Sequence, residues 1–170
     1  VYKRQRLLLP LLAALALPTA VNAEVTYESI FNAKQADYFL KSKQASKLIS
    51  EGKFSEAETI CDELIEISPD NPNSYICKGV ALGFASENKK KRKAVRNFTK
   101  AIKIDPENNE AYFFRGALKF GMRRRKDLGF NRTACNDMEK AYLNDHPLAL
   151  DYVKKNKSNL GISCVAYRFN

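Results

Sequence analysis

Residues 75–106 open with Tyr75-Ile76-Cys77-Lys78-Gly79-Val80-Ala81-Leu82 and, after a basic stretch, close with Ala94-Val95-Arg96-Asn97-Phe98-Thr99-Lys100-Ala101-Ile102-Lys103-Ile104-Asp105-Pro106. Phe98, Ala101 and Ile102 recur at the three-and-four spacing that places side chains on one helix face. Ile60, Cys61, Leu64, Ile65 and Ile67 repeat that spacing upstream. Small residues, Gly79 on one segment and Ala94 and Ala101 on the next, let two helix backbones cross closely. Ser68-Pro69-Asp70-Asn71-Pro72 and Asp105-Pro106-Glu107-Asn108-Asn109 hold the Pro and Asx residues that stop one helix and start another. The expected fold class is all-α, because no alternating strand pattern competes with it apart from the short tail Ile162 to Phe169, which reads as irregular.

The same residues recur along the chain. Tyr75, Gly79, Leu82, Ala94, Phe98, Ala101 and Pro106 are followed by Tyr112, Gly116, Ala134, Met138, Ala141 and Pro147, and preceded by a weaker copy in Ala45, Leu48, Gly52, Phe54, Ala57, Cys61 and Pro69. This pattern resembles the tetratricopeptide repeat (TPR): an aromatic, a small residue four later, Ala-x3-aromatic on a second helix, and a closing Pro. The resemblance implies a helical-hairpin solenoid of about three repeats, over 38–71, 72–108 and 109–144, with a capping helix and tail over 145–170. Leu148, Leu150, Tyr152 and Val153 supply apolar residues for the cap. Ala57 to Ala94 is 37 residues and Ala94 to Ala134 is 40, against a family repeat of 34. The extra residues are expected in the turns between the two helices of the second and third repeats, where such arrays tolerate insertion.

The chain carries 29 Lys and Arg against 19 Asp and Glu, a net +10, in 170 residues that are 45% apolar. That apolar share is too high for a disordered chain, and the length suits one domain of ordinary size. Residues 1–23 hold Lys3, Arg4 and Arg6, no acid, an apolar run from Leu7 to Leu17 and the small-residue end Val21-Asn22-Ala23. They read as an export signal cleaved near Ala23-Glu24, with an uncleaved amphipathic anchor as the alternative. Export predicts a periplasmic, lumenal or extracellular protein. Residues 24–37 read as a lead-in segment that packs on the first hairpin or fills the groove.

An oxidising compartment permits disulfides among Cys61, Cys77, Cys135 and Cys164. Cys135 with Cys164 is the expected pair, tying the tail to the last repeat; Cys61 and Cys77 also read as small buried hydrophobes. No catalytic constellation is found, and no cofactor or metal site is expected. His146 is the single histidine, acid pairs such as Asp62-Glu63 and Asp137-Glu139 read as solvated helix faces, and the glycines form no phosphate-cradling run.

Two features point to binding. The runs Lys89, Lys90, Lys91, Arg92, Lys93 and Arg123, Arg124, Arg125, Lys126 are expected in the two inter-helix turns, on one edge of the array, as a basic edge for an anionic membrane or polyanion. Export argues against nucleic acid. The family's first helices line a concave groove, and matching positions one by one places Ile76, Val80, Phe84, Phe113, Ala117 and Phe120 there. TPR domains that clamp a peptide's terminal carboxylate use Lys, Arg and Asn in the groove, where this chain has Ser42, Ser46, Cys77, Glu110 and Phe114. The resemblance therefore implies a non-catalytic exported scaffold or assembly factor that takes a protein or peptide partner in an apolar groove. The alternative is a basic module adhering to an anionic surface.

Overall fold

The computed structural model describes residues 32–84, 87–122 and 128–155. They form seven helices: α1 (32–50), α2 (Phe54–Ile67), α3 (Pro72–Gly83), α4 (Asn88–Ile104), α5 (Asn109–Gly121), α6 (Leu128–Leu143) and α7 (Pro147–Lys155). The chain divides into two compact units, 1–40 and 41–170. The described part of the first, 32–40, is helical and exposes Phe39 and Leu40. The second unit contains the end of α1 and all of α2 to α7; in it α3 packs on both α2 and α4, α5 on both α4 and α6, and α7 on α6.

Local chemistry accounts for the boundaries. Gly52 adopts φ 74°, a left-handed value that favours glycine, and the Lys53 N–H donates back to Leu48 O at 2.9 Å, so α1 closes there and α2 begins. Asn71 caps α3 by accepting from the Asn73 N–H at 3.0 Å, with Pro72 at the first helical position. Asn108 caps α5 through the Ala111 N–H at 3.0 Å. These are the two Asx-Pro turns read from the sequence. Among the described residues, none of the helices is long and apolar enough to cross a membrane.

The core is built where small residues let helices approach. Phe98 of α4 is 2% exposed and fills the place a side chain at Gly79 of α3 would need; a Cβ there would lie 2.5 Å from the ring. Ile76, Leu82, Ala94, Ala101 and Ala111 complete that cluster. A second cluster, Phe113, Met138, Ala141 and Ala149, joins the last hairpin to α7. The cap thus forms, though with different residues inward: Ala149 is buried and Leu148 is exposed, while Tyr152 meets Phe113 edge-on at 6.1 Å. The Val153 side chain lies outside the described residues.

Both insertions go in part elsewhere than expected. α2 starts three residues before Ala57, whereas α4 starts six before Ala94 and α6 six before Ala134. Three extra residues in each of the later repeats therefore lengthen the second helix; in α4 they fall in a run of Lys and Arg, good helix formers that continue it at little cost.

Cys61 of α2 and Cys77 of α3 form a disulfide, Cα to Cα 5.6 Å. It fastens the first repeat to the second, in place of the buried-thiol reading. Cys135 is buried and not a free thiol; Cys164, expected to pair with it, lies outside the described residues. Cross-linking residues 16 apart restricts the unfolded chain by about 3 kcal/mol in the loop-entropy account. Replacing both Cys61 and Cys77 by Ser is expected to remove about that much stability, read as a lower denaturant midpoint.

Candidate functional site

The six residues expected to line the groove separate into two sets. Ile76, 5% exposed, and Phe113, 8% exposed, belong to the core: Ile76 packs with Leu82 and Phe98, and Phe113 is covered by Met138, Tyr152 and the His146 ring stacked at 5.1 Å. Phe120 is half-buried and packs against the Phe113 cluster. Ile76 and Phe113 are therefore core residues and not partner-facing, while Phe120 does not line the pocket described next. The reason is that α4 and α7 cover the faces that the repeat pattern alone leaves open.

Val80, Phe84 and Ala117 do come together. They line an apolar pocket of about 210 Å³ between the later turns of α3 and α5 and the first turns of α4. Phe114 and Leu118 complete its wall, with Lys91 at the rim, and Gly83 and Gly121 leave the space unfilled. Phe114 stacks on Phe98 at 5.8 Å, which ties the pocket wall to the core. Phe84 is 63% exposed, and its ring stacks on Phe54 at 5.1 Å. Leu118 was missed because the family positions select Ala117, one place earlier, and Phe114 was read only as a departure from the carboxylate clamp. Their own spacing, with Gly121, is 114, 118 and 121, a helix face readable without the family.

The first basic run sits in a helix, not in a turn. Lys89 to Lys93 occupy the first turns of α4, because the insertion extends that helix. Lys89, Arg92 and Lys93 are exposed, whereas Lys90 is half-buried with its Nζ 3.6 Å from Glu58 and Lys91 lies at the apolar pocket. Arg123, Arg124, Arg125 and Lys126 lie outside the described residues.

Between α5 and α6 lies a buried charge cluster that the sequence reading placed in solvent. Asp137 is 4% exposed and accepts from Arg115 through Nε at 2.8 Å and Nη2 at 2.6 Å, and from Lys119 Nζ at 3.0 Å. Thr99 and Thr133 hydroxyls accept further bonds from Arg115 and Lys119. Burial lowers the Lys119 ammonium below the ordinary lysine range, against the pull of Asp137. Every polar atom in the cluster faces another member or a helix neighbour, so it fixes the register of α5 on α6. Among the described residues no group of His, Cys, Asp and Glu is arranged to hold a metal.

Comparison with solved structures gives the same architecture. The first TPR domain of Spaghetti (RPAP3), bound to the HSP90 peptide SRMEEVD, superposes with a TM-score of 0.58 at 20% identity, over 74% of this chain and 94% of that one. The Arabidopsis OM64 TPR domain gives 0.56 at 18% identity over 72% and 98%. The TPR2B domain of yeast Sti1, in complex with an Hsp70 peptide, gives 0.53 at 17% over 73% and 95%. No family model matches the chain, and no curated protein matches it. The fold is therefore that of TPR domains.

Proposed function

We propose that this protein is a non-catalytic, exported peptide-binding module whose site is the apolar pocket of Val80, Phe84, Phe114, Ala117 and Leu118. The observation that carries the reading is Phe84: a 63% exposed aromatic at the mouth of a ready-made apolar pocket. Exposed aromatics beside concave apolar surface are characteristic anchors for a partner. Solved TPR domains of similar architecture hold peptides, among them SRMEEVD of HSP90. This chain differs where a terminal carboxylate would be clamped, since Cys77 is tied into a disulfide and Phe114 lines the pocket. The ligand class is accordingly an apolar or amphipathic segment, not an acidic C-terminus. Export is supported by the Cys61–Cys77 disulfide, because such bonds persist in oxidising compartments.

A phage-displayed peptide library selected on the protein is expected to return sequences with apolar residues three or four apart, binding in the micromolar range. Covering one Phe side chain is worth about 1.5–3 kcal/mol, so Phe84→Glu should weaken them at least tenfold while the far-UV circular dichroism stays unchanged. A peptide ending in EEVD serves as the comparator. Tight binding of that peptide, undisturbed by Phe84→Glu, would refute the reading. Adhesion to an anionic surface through Lys89, Arg92 and Lys93 is the competing role, and binding lost at 0.5 M salt would favour it, since exposed charges are screened there.

A further inference from the structure

A second pocket, of about 480 Å³, opens between α2, α3 and α4, and its character is cationic. Lys93, Arg96 and Lys100 stand on successive turns of α4 along one side of it. Among the described residues none of the three has a carboxylate within 4.0 Å. The other charges around the rim are already matched: Glu58, the carboxylate in the lining, is held by Lys90, and Lys78 is paired with Asp62 of α2. The Lys100 ammonium lies 5.7 Å from the centre of the Tyr75 ring, which turns it over the pocket's aromatic wall. Asn97 spends one amide hydrogen on Lys93 O at 2.9 Å and has a second to offer.

Three unmatched cations repel one another and raise the local potential, an arrangement that an anion relieves. A single carboxylate would neutralise one of the three cations. A tetrahedral oxyanion carries more charge and presents three oxygens, enough to meet Arg96, Lys93 and Lys100 together. The pocket is larger than a bare inorganic anion requires, and Tyr75 and Leu82 give it an apolar floor. The geometry points to this pocket as a receptor for a phosphate-type oxyanion carried on an apolar stem. It is distinct from the peptide pocket in residues and in chemistry.

The test uses inorganic phosphate and phenyl phosphate at constant ionic strength, followed by NMR shifts of the Tyr75, Arg96, Asn97 and Lys100 amides. Phenyl phosphate should saturate these shifts several-fold more tightly than inorganic phosphate. Arg96→Gln with Lys100→Gln should weaken binding at least tenfold, whereas Lys47→Gln with Lys103→Gln, which removes the same charge elsewhere, should stay within twofold. A parallel arm measures sedimentation with phosphatidylglycerol and phosphatidylcholine vesicles. Saturable shifts assign a soluble ligand. Silence in solution with vesicle binding that the first double variant alone loses assigns a lipid headgroup. Equal behaviour of the two double variants, or shifts that track ionic strength only, overturns the proposal.

Discussion

Replacing Asp137 by Ala is expected to cost about 3–5 kcal/mol of stability, the range found when one partner of a buried ion pair is removed. The cost arises less from lost attraction than from what remains: Arg115 and Lys119, both largely buried, would face each other without an anion between them. The denaturant midpoint measures it. Lys119→Met should cost little or even stabilise, because Arg115 still matches Asp137 in a two-pronged pair and the buried charge becomes balanced. The same residue sets a pH effect. Burial holds the folded-state pKa of Lys119 below that of the unfolded chain. Below both values the ammonium is present in both states and its burial is resisted in full. As pH rises from the folded value towards the unfolded one, about 10.4, the folded protein sheds the proton first, so stability rises with pH across that window. Lys119→Met should flatten the rise.

Phe98→Ala should be as damaging, about 3–5 kcal/mol, since a fully buried aromatic is removed and a cavity left behind. The effect should reach the peptide pocket too, because Phe98 supports Phe114 from below. Gly79 provides the complementary measurement: Gly79→Ala forces a methyl against the Phe98 ring, an overpacking of about 1–3 kcal/mol. Combined with Phe98→Leu, Gly79→Ala should cost less than the sum of the two changes, and that shortfall reports the contact directly.

The repeats were legible because their signals are local. Gly79, Ala94, Phe98 and the Asx-Pro turns each state a need of the backbone within a few residues. What was not legible depends on pairs far apart in sequence. Asp137 beside Glu139 reads as a solvated helix face until α5 brings Arg115 and Lys119 onto it. Four cysteines allow three pairings, and the one between Cys61 and Cys77 follows from how α3 lies on α2, which no spacing reveals. Ile76 and Phe113 fit the groove positions of the repeat, yet whether such a residue is wall or core is decided by the neighbouring helices. Lys89 to Lys93 read as a turn because insertions usually fall there; helix propensity decided otherwise.

The disulfide between α2 and α3 also determines which way the array comes apart. A stack of hairpins is held by nearest neighbours only and normally frays from both ends. Here one joint is covalent, so the amino-terminal hairpin cannot peel away from the next, and the open end of the zipper is the α5 to α7 side. The peptide pocket straddles that seam, with Val80 and Phe84 on the locked block and Phe114, Ala117 and Leu118 on the part free to detach. Each opening of the seam dismantles the pocket, and a bound peptide acts as a second clasp across it. Occupancy would then be felt as slower amide exchange in α6 and α7, helices that line no part of the pocket.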